Sequence, residues 1–325
     1  MAKSNFLKII YIVEIDFRKM IEVKNLRKVY RNIVALDGIS FKIERGEIFA
    51  FLGPNGAGKT TTMNILMGFI FPDSGEVKIF GRDVVKDGKI IRKKIGFLPE
   101  ELGFYETLTA YENMDFYARL FGIPKKDREK KILDLLEMVG LLDRKDSKVG
   151  EYSHGMKQRL GIAQSLINEP ELLIYDEPTS GLDPRASYEI RNLIKELVKE
   201  GTTLFLSSHL LHEVQQICNT VAIINKGKLV RKDEIKNLIN EIKGKGIIVK
   251  IKCLNLNEDI IESVKKINGV EDLKVLKDML IVRVRDEKVT AEINSAIVKA
   301  GGKITKMEEK TPNLEEIFLK LTEEK

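Results

Sequence analysis

The chain has 325 residues, 43% of them hydrophobic and 32% charged, which describes a globular protein long enough for two domains. Its net charge of +6 comes from lysines mixed with glutamates, and the absence of a long basic block argues against a nucleic-acid-binding surface. Cys218 and Cys253 lack CxxC spacing, which excludes a zinc site or disulfide scaffold, and no apolar run approaches the ~20 residues of a membrane span.

The first predicted strand opens at Met20, so residues 1–19 are expected to be an N-terminal extension. Two interpretations of this extension stay open, a disordered segment or an artefact of an upstream start site. From residue 20 to about residue 47, apolar and polar side chains alternate, as in Ile39-Ser-Phe-Lys-Ile43. A period of two predicts antiparallel strands with one face in water.

Beyond residue 47, continuous apolar runs alternate with helical patterns. The run Ile48–Leu52 ends at a glycine-rich loop, as expected of a buried strand that leads into a helix. This alternation predicts a mostly parallel sheet covered by helices. Further predicted strands are 75–80, 94–98, 172–175 and 203–207, and predicted helices are 60–69, 108–142 with a break at 122–124, 153–168 and 184–200.

The composition changes near residues 226–246, which are rich in Lys, Gly and Asn. After this segment the predicted elements follow the order β-α-β-β-α-β, which is the order of a small ferredoxin-like domain. Its predicted strands are 247–254, 270–276, 279–285 and 303–308, its helices start near 258 and 289, and 314–321 is a predicted terminal helix.

The segment Gly53-Pro-Asn-Gly-Ala-Gly-Lys59-Thr60 matches the P-loop pattern GxxxxGK[ST]. Glycines let backbone N–H groups turn inward around phosphate oxygens, and the following helix directs its positive N-terminus at the same charge. Lys59 is expected to reach the β- and γ-phosphates, and the Thr60 hydroxyl to bind Mg²⁺. The expected nucleotide-binding residues here are Gly53, Pro54, Asn55, Gly56, Ala57, Gly58, Lys59, Thr60 and Thr61.

The run Leu172-Leu-Ile-Tyr-Asp176-Glu177 is an apolar strand that ends in two carboxylates. In isolation this pattern is best explained as a solvated strand end. Together with the P-loop it indicates that Asp176 lies beside Mg²⁺ and that Glu177 orients and deprotonates the attacking water.

These motifs and their order resemble the nucleotide-binding domain of ABC (ATP-binding cassette) proteins over residues 20–230. Tyr152-Ser-His-Gly-Met-Lys-Gln-Arg159 occupies the place of the family signature LSGGQ, where Ser153 and Gly155 match and His154 and Met156 depart. Ser153 also suits a helix N-cap. The resemblance implies that this helix start binds the γ-phosphate of a nucleotide held by the opposite subunit.

The resemblance implies four further roles. Tyr30 would stack on adenine, Asp183 would belong to the D-loop that crosses to the partner subunit, and His209 would contact the γ-phosphate; each also has a plain structural explanation. Glu100 stands where the family usually has Gln; its carboxylate can bind Mg²⁺ but cannot donate a hydrogen bond when ionised. The expected catalytic residues are therefore Glu177, His209 and Lys59, and the expected metal ligands are Thr60, Glu100 and Asp176.

The expected fold is a P-loop NTPase of the ABC type, α/β with a mostly parallel core sheet, an antiparallel β subdomain and a helical subdomain, followed by a small ferredoxin-like α+β domain. The expected boundaries are an extension over 1–19, the cassette over 20–230 with its helical part near 103–168, a linker over 231–246 and the C-terminal domain over 247–325.

The resemblance implies an ATPase that uses ATP and Mg²⁺ and pairs with a second ATP-binding subunit, identical or different. The C-terminal β-α-β-β-α-β segment, which ends in Pro312-Asn-Leu-Glu-Glu-Ile-Phe318, resembles the tail of ABC-2 type exporter motors. These motors act on a separate integral membrane permease from the cytoplasmic face of the membrane. A soluble ABC ATPase acting on nucleic acid or ribosomes is the rival, although residues 61–151 cannot hold a long coiled coil and one P-loop is present. A regulator that uses ATP only as a switch is a third class.

Overall fold

The computed structural model describes residues 19–199, 201–243 and 246–310. The chain divides into two compact units, the first ending at Lys232 and the second beginning at Asp233. The expected extension up to residue 18, the tail around 312–318 and the expected helix 314–321 lie outside the described residues.

The elements of the first unit alternate between strands and helices. Its strands are β1 (Lys19–Tyr30), β2 (Ile33–Glu44), β3 (Ile48–Leu52), β4 (Ser74–Ile79), β5 (Arg82–Asp83), β6 (Ile95–Leu98), β7 (Leu172–Asp176), β8 (Thr203–Ser208), β9 (Thr220–Asn225) and β10 (Lys228–Glu234), whose last two residues belong to the second unit. Its helices are α1 (Lys59–Leu66), α2 (Val84–Arg92), α3 (Ala110–Leu120), α4 (Lys125–Met138), α5 (His154–Ser165), α6 (Pro184–Val198) and α7 (Leu211–Ile217).

The N-terminal strands form an antiparallel sheet in the order β2-β1-β4-β5. In β2, the buried residues Ile39, Phe41 and Ile43 alternate with the exposed residues Ser40 and Lys42, so one face packs and the other meets water. The prediction of antiparallel strands from the two-residue period is therefore confirmed.

The central sheet has the order β10-β9-β3-β8-β7-β6, and β9, β3, β8, β7 and β6 run parallel. Its middle strands are buried along their length because helices cover them, which explains their unbroken apolar sequences. Four phenylalanine rings, with neighbouring centroids 5.5 to 6.1 Å apart, pack β2 of the antiparallel sheet against β3 and β8: Phe41, Phe49, Phe51 and Phe205.

Between β6 and β7 the chain forms the helices α3, α4 and α5. Helix α3 starts at a reciprocal cap in which the Thr109 hydroxyl accepts from the Glu112 backbone N–H and the Glu112 carboxylate accepts from the Thr109 N–H. It ends before Gly122, whose φ of 75° suits glycine, and Pro124 then caps α4. The predicted break at 122–124 in a long helical pattern is therefore confirmed.

The second unit contains α8 (Ile235–Lys243), β11 (Ile247–Leu254), α9 (Glu258–Lys265), β12 (Val270–Leu276), β13 (Met279–Val284), α10 (Glu287–Lys299) and β14 (Lys303–Lys310). Its sheet is antiparallel in the order β12-β13-β11-β14, which is ferredoxin-like topology, as the order of predicted elements indicated. The sequence suggested a linker over 231–246; in the described residues 231–243 of that range, the chain forms the end of β10 and helix α8.

The cysteines and the longest apolar helices bear on the sequence features considered first. Cys218 and Cys253 are buried free thiols, as expected of small core residues, and burial raises the pKa of both. Within the described ranges, no helix combines the length and the apolar composition that crossing a bilayer requires.

The close approach of β6 to the end of α5 yields a stability prediction. A Cβ atom at Gly96 would lie 2.3 Å from the Ser165 carbonyl oxygen and 2.8 Å from a methyl carbon of Leu173. We therefore expect Gly96→Ala to lower the free energy of unfolding by about 1–3 kcal/mol in a denaturant titration, because strand and helix must separate.

The control is Gly103→Ala, since a Cβ atom there would meet nothing within 4 Å. We expect this control to match the parent or to be slightly more stable. A Gly96→Ala protein as stable as the control would contradict the prediction.

Candidate active site

Four chemically distinctive segments follow the carboxyl ends of adjacent parallel strands. The loop 53–58 follows β3, His209 follows β8, Glu177 follows β7, and Glu100 lies two residues beyond β6. Because the strands stand in the order β3-β8-β7-β6, these ends lie along one edge of the sheet. In open α/β sheets this edge is where ligands bind.

The loop between β3 and α1 fits its neighbours only because of its glycines. A Cβ at Gly53 would lie 2.5 Å from the Ile224 carbonyl oxygen, and one at Gly58 would lie 2.6 Å from the Ala35 carbonyl oxygen. Gly58 also has a φ of 108°, in the left-handed region, and serves as the N-cap of α1. The backbone of this loop thus lies against β2 and β9 in a way that no larger residue permits.

The Lys59 side chain is buried and turned back along the loop. Its Nζ donates to the carbonyl oxygens of Gly53, at 2.8 Å, and Pro54, at 3.3 Å. It also lies 3.2 Å from Oε1 of Glu177, another buried side chain. This Oε1 has no hydrogen-bond partner among the described residues, so the Lys59–Glu177 contact is ionic rather than a directed hydrogen bond.

Asp176 is a buried carboxylate held by two hydroxyl groups. Ser207 Oγ donates to its Oδ1 at 2.5 Å, and the Thr60 side chain also hydrogen-bonds to it. Burial is the main reason that the pKa of Asp176 is raised, and the nearby charge of Glu177 adds to this; the two hydroxyl hydrogen bonds oppose it. The structure therefore brings together two of the three predicted metal ligands, Thr60 and Asp176.

Glu177 contacts the other two predicted catalytic residues, Lys59 and His209. Its Oε2 lies 2.9 Å from His209 Nδ1 and its Oε1 faces Lys59, so the carboxylate stands between the imidazole and the ammonium. The backbone N–H of Glu177 donates to Ser207 Oγ at 3.0 Å. Ser207 thus contacts both carboxylate residues, a role that the sequence analysis did not assign to it.

Glu100 completes a group of three neighbouring carboxylates. The side chain is largely exposed, yet its pKa is raised, first by partial burial and then by the charges of Asp176 and Glu177. Among the described residues, no cluster of three or more His, Cys, Asp or Glu side chains is arranged to hold a metal by itself. The oxygen donors of Thr60, Asp176 and Glu100 fit Mg²⁺ instead, because this ion keeps several waters and binds through one or two carboxylates and substrate phosphates.

The signature and D-loop positions lie together around one cavity. Ser153 caps α5 by accepting from Met156 N–H at 3.3 Å, and Asp183 caps α6 through its Oδ1. His154 Nε2 lies 3.1 Å from the Ser180 carbonyl oxygen, beside a cavity of about 340 Å³. Gly155 packs closely on α6, since a Cβ there would lie 3.3 Å from Ala186 Cβ.

Within one chain these positions do not complete the site described above. In the described part of the molecule, no hydrogen bond or ion pair joins Ser153, Gly155 or Asp183 to the loop 53–60. Tyr30 is 43% exposed at the end of β1, with Lys28 Nζ 5.4 Å from its ring centroid. His212 lies exposed on α7.

Comparison with known proteins agrees with this arrangement. The family model described as "ABC transporter" matches residues 36–180, and the model "ATP-binding protein DrrA1-3-like, C-terminal domain" matches residues 232–322. The chain is 38% identical to the bacitracin transport ATP-binding protein BcrA of Bacillus licheniformis, over 93% of this chain and 97% of BcrA. It is 33% identical to the linearmycin resistance ATP-binding protein LnrL of Bacillus subtilis, over 93% and 98% of the two chains.

Among solved structures, one similar chain is the dimeric ATP-binding cassette MJ0796 in a post-hydrolysis state with ADP and Pi. It shows a TM-score of 0.62 and 30% identity, over 66% of this chain and 99% of that one. The chain therefore belongs to the family of ABC transporter ATP-binding proteins, and it carries a DrrA-like C-terminal domain. The expected fold class and the resemblance drawn from the motifs are confirmed.

The buried Asp176 carboxylate makes stability depend on pH in a definite direction. Its pKa in the folded protein lies above that of the unfolded chain, so ionisation destabilises the fold; this cost is absent in acid and develops as pH rises through the folded-state pKa. We expect Asp176→Asn to raise the melting temperature relative to the parent, and by more at about pH 8 than at about pH 4.

Asp73→Asn is the matched control, because the pKa of Asp73 is shifted in the opposite direction to that of Asp176. The pKa of Asp73 is lowered by the Val29 backbone N–H and then by Lys28, so its ionised form stabilises the fold. We expect this variant to lose melting temperature near neutral pH and to approach the parent in acid. The same pH trend in both variants would contradict the assignment for Asp176.

Proposed function

We propose that this protein binds and hydrolyses ATP as the motor subunit of an ABC-2 type exporter that works on a separate membrane subunit. The observation that carries the proposal is the meeting of Lys59, Glu177 and His209 beside the Thr60–Asp176 pair at one edge of the central sheet. A charged loop for triphosphate, a carboxylate base and oxygen donors for Mg²⁺ are the parts that phosphoryl transfer to water requires.

In the proposed reaction, backbone N–H groups of the loop 53–60 and the α1 N-terminus hold the phosphates, and Lys59 contacts the β- and γ-phosphates. Thr60, Asp176 and Glu100 would hold Mg²⁺, which when bound would neutralise part of the phosphate charge. Glu177 orients a water molecule and accepts its proton as the water oxygen bonds to the γ-phosphorus. The bond between this phosphorus and the bridging oxygen breaks, and ADP leaves with the electron pair.

The proposed active unit is a dimer, identical or mixed, with two nucleotides at its interface. Among the described residues, no hydrogen bond or ion pair joins the signature residues Ser153 and Gly155 to the same chain's loop 53–60, so we expect a second ATP-binding subunit to supply them. The dimeric state of the similar structure MJ0796 supports this arrangement. ATP would favour the closed pair, and hydrolysis would let it reopen.

The proposed docking surface for the membrane subunit is an apolar patch of Tyr105, Phe116 and Leu120. The rings of Tyr105 and Phe116 pack edge to face with centroids 5.1 Å apart, and Leu120 lies one helical turn beyond Phe116 on α3. These side chains are 49%, 37% and 68% exposed, respectively. The names of the relatives BcrA and LnrL, which concern bacitracin transport and linearmycin resistance, support an export role at the cytoplasmic face of the membrane.

The ATPase proposal is tested with Glu177→Gln. We expect turnover to fall about 100-fold or more because the proton acceptor is lost, while ATP still binds and now stabilises a dimer that light scattering detects. Lys59→Ala should lose both binding and turnover. Glu262→Gln, an exposed change on α9, is the control and should behave like the parent. Parent-like turnover by Glu177→Gln, or a strict monomer at saturating ATP, would contradict the proposal.

The docking proposal is tested with Leu120→Glu, which places a charge in the apolar patch. We expect this variant to lose co-purification with a multi-spanning membrane protein from native membranes while its basal ATPase rate stays unchanged. The control is Val298→Glu on α10, an equally exposed apolar side chain, 60% against 68%. Retained co-purification would count against this surface, and association of the parent with ribosomes or DNA would favour the rival function.

A further inference from the structure

The turn that follows β7 holds Glu177 in an unusual backbone conformation. Its φ is 48°, in the left-handed region that residues with a side chain rarely adopt. The Glu177 carbonyl oxygen accepts from the Ser180 N–H at 3.0 Å, so residues 177–180 form a closed turn. Such a conformation is energetically costly and persists only when the surrounding structure fixes it.

Two hydroxyl groups fix the two ends of this turn. At its start, the Glu177 N–H donates to Ser207 Oγ on β8. At its other end, the Thr179 hydroxyl donates to Oε2 of Glu213 on α7. Thr179 is 6% exposed and Glu213 is 5% exposed, so water does not compete for this second contact.

Glu213 is held from its other side by a guanidinium group. Its Oε1 accepts from Nη1 of Arg191 on α6 at 3.0 Å, in an ion pair whose two side chains are 6% and 11% exposed. Arg191 Nε is buried without a hydrogen-bond partner among the described residues. A buried ion pair is expensive to desolvate and therefore weak as a general stabiliser. Its place behind the Glu177 turn points to a local positioning role.

The contact between Thr179 and Glu213 runs beside the contact between Glu177 and His209. His209 lies just before α7, and Glu213 lies in the first turn of that helix. The segments 177–179 and 209–213 are thus joined twice, once by Glu177 Oε2 with His209 Nδ1 and once by the Thr179 hydroxyl with the Glu213 carboxylate.

We propose that Thr179 and Glu213 are positioning residues, which hold the strained Glu177 turn so that its carboxylate stays beside His209. This inference rests on the proposed ATPase function and adds to it. The hydrogen bonds and ion pairs of these two side chains in the described residues go to each other and to Arg191, and the shape of the loop 53–60 depends on Gly53, Gly58 and Lys59. Loss of the Thr179–Glu213 contact should therefore impair hydrolysis much more than nucleotide binding.

The decisive variant is Thr179→Val, which keeps the side-chain shape and removes the hydroxyl. We expect kcat to fall about 10- to 100-fold, as small misplacements of catalytic groups do, while KM and the Kd for ATP stay within about threefold. Thr179→Ser restores the hydroxyl and should recover most of kcat. The matched control is Thr290→Val, because Thr290 is also buried but its Oγ1 has no hydrogen-bond partner among the described residues.

A second readout needs no nucleotide. Hydrogen exchange of a peptide covering residues 176–183 should quicken in Thr179→Val, because the turn that holds the Ser180 amide against the Glu177 carbonyl is no longer anchored to Glu213. It should not change in Thr290→Val. In a Glu177→Gln background, Thr179→Val should cause little further loss of turnover, since residues that act as a unit are not additive.

The outcomes separate this inference from the proposed function. An inactive parent protein would overturn the ATPase proposal. The exchange measurement would still test whether the Thr179–Glu213 contact fixes the Glu177 turn. Thr179→Val within twofold of the parent in kcat, with unchanged exchange, would overturn the inference. If Thr179→Val does not fold, Glu213→Gln replaces it, because this change keeps the side-chain shape and removes the charge. Its kcat and its hydrogen exchange then test the inference in the same way.

Discussion

The candidate site depends on one buried hydroxyl, that of Ser207 on β8. It donates to the Asp176 carboxylate and accepts from the Glu177 backbone N–H, so it fixes both carboxylate residues of the neighbouring strand. Ser207 can reach both residues because β8 is the neighbour of β7. On its other side β8 pairs with β3, which leads into the loop 53–58. The parallel strand order therefore places the phosphate-binding loop and the carboxylates at a common edge before any ligand is considered.

The same edge of the sheet is unfavourable for the stability of the fold. The carboxylates of Glu100, Asp176 and Glu177 lie near the buried ammonium of Lys59, and the pKa of both Glu100 and Asp176 is raised as a result of burial and mutual repulsion. Proteins tolerate such groups at functional sites because the rest of the fold compensates. Here the apolar strands and the phenylalanine layer between the two sheets supply the core that offsets this local cost.

Much of the fold was predictable because its signals are local. The P-loop pattern, the alternation in β2 and the order of elements after residue 246 each lie within a short stretch of sequence, and the structure agrees with them. Helix α2 was not predicted, because Val84–Arg92 is short, highly charged and contains Gly88. The Thr179–Glu213 contact spans 34 positions in sequence, so no local pattern reveals it. The roles of Ser153 and Asp183 stay predictions, since they require a second chain.

The pairing of Lys59 with Glu177 has a consequence for nucleotide binding. The Lys59 ammonium group forms an ion pair with the Glu177 carboxylate and is also the group that the P-loop pattern assigns to phosphate. In the proposed ATPase, a phosphate that contacts Lys59 would share this ammonium group with Glu177, so nucleotide binding would be coupled to the ionic contact of the carboxylate. A weaker contact with Lys59 would leave Oε1 of Glu177 open to a water molecule, because this atom has no hydrogen-bond partner among the described residues.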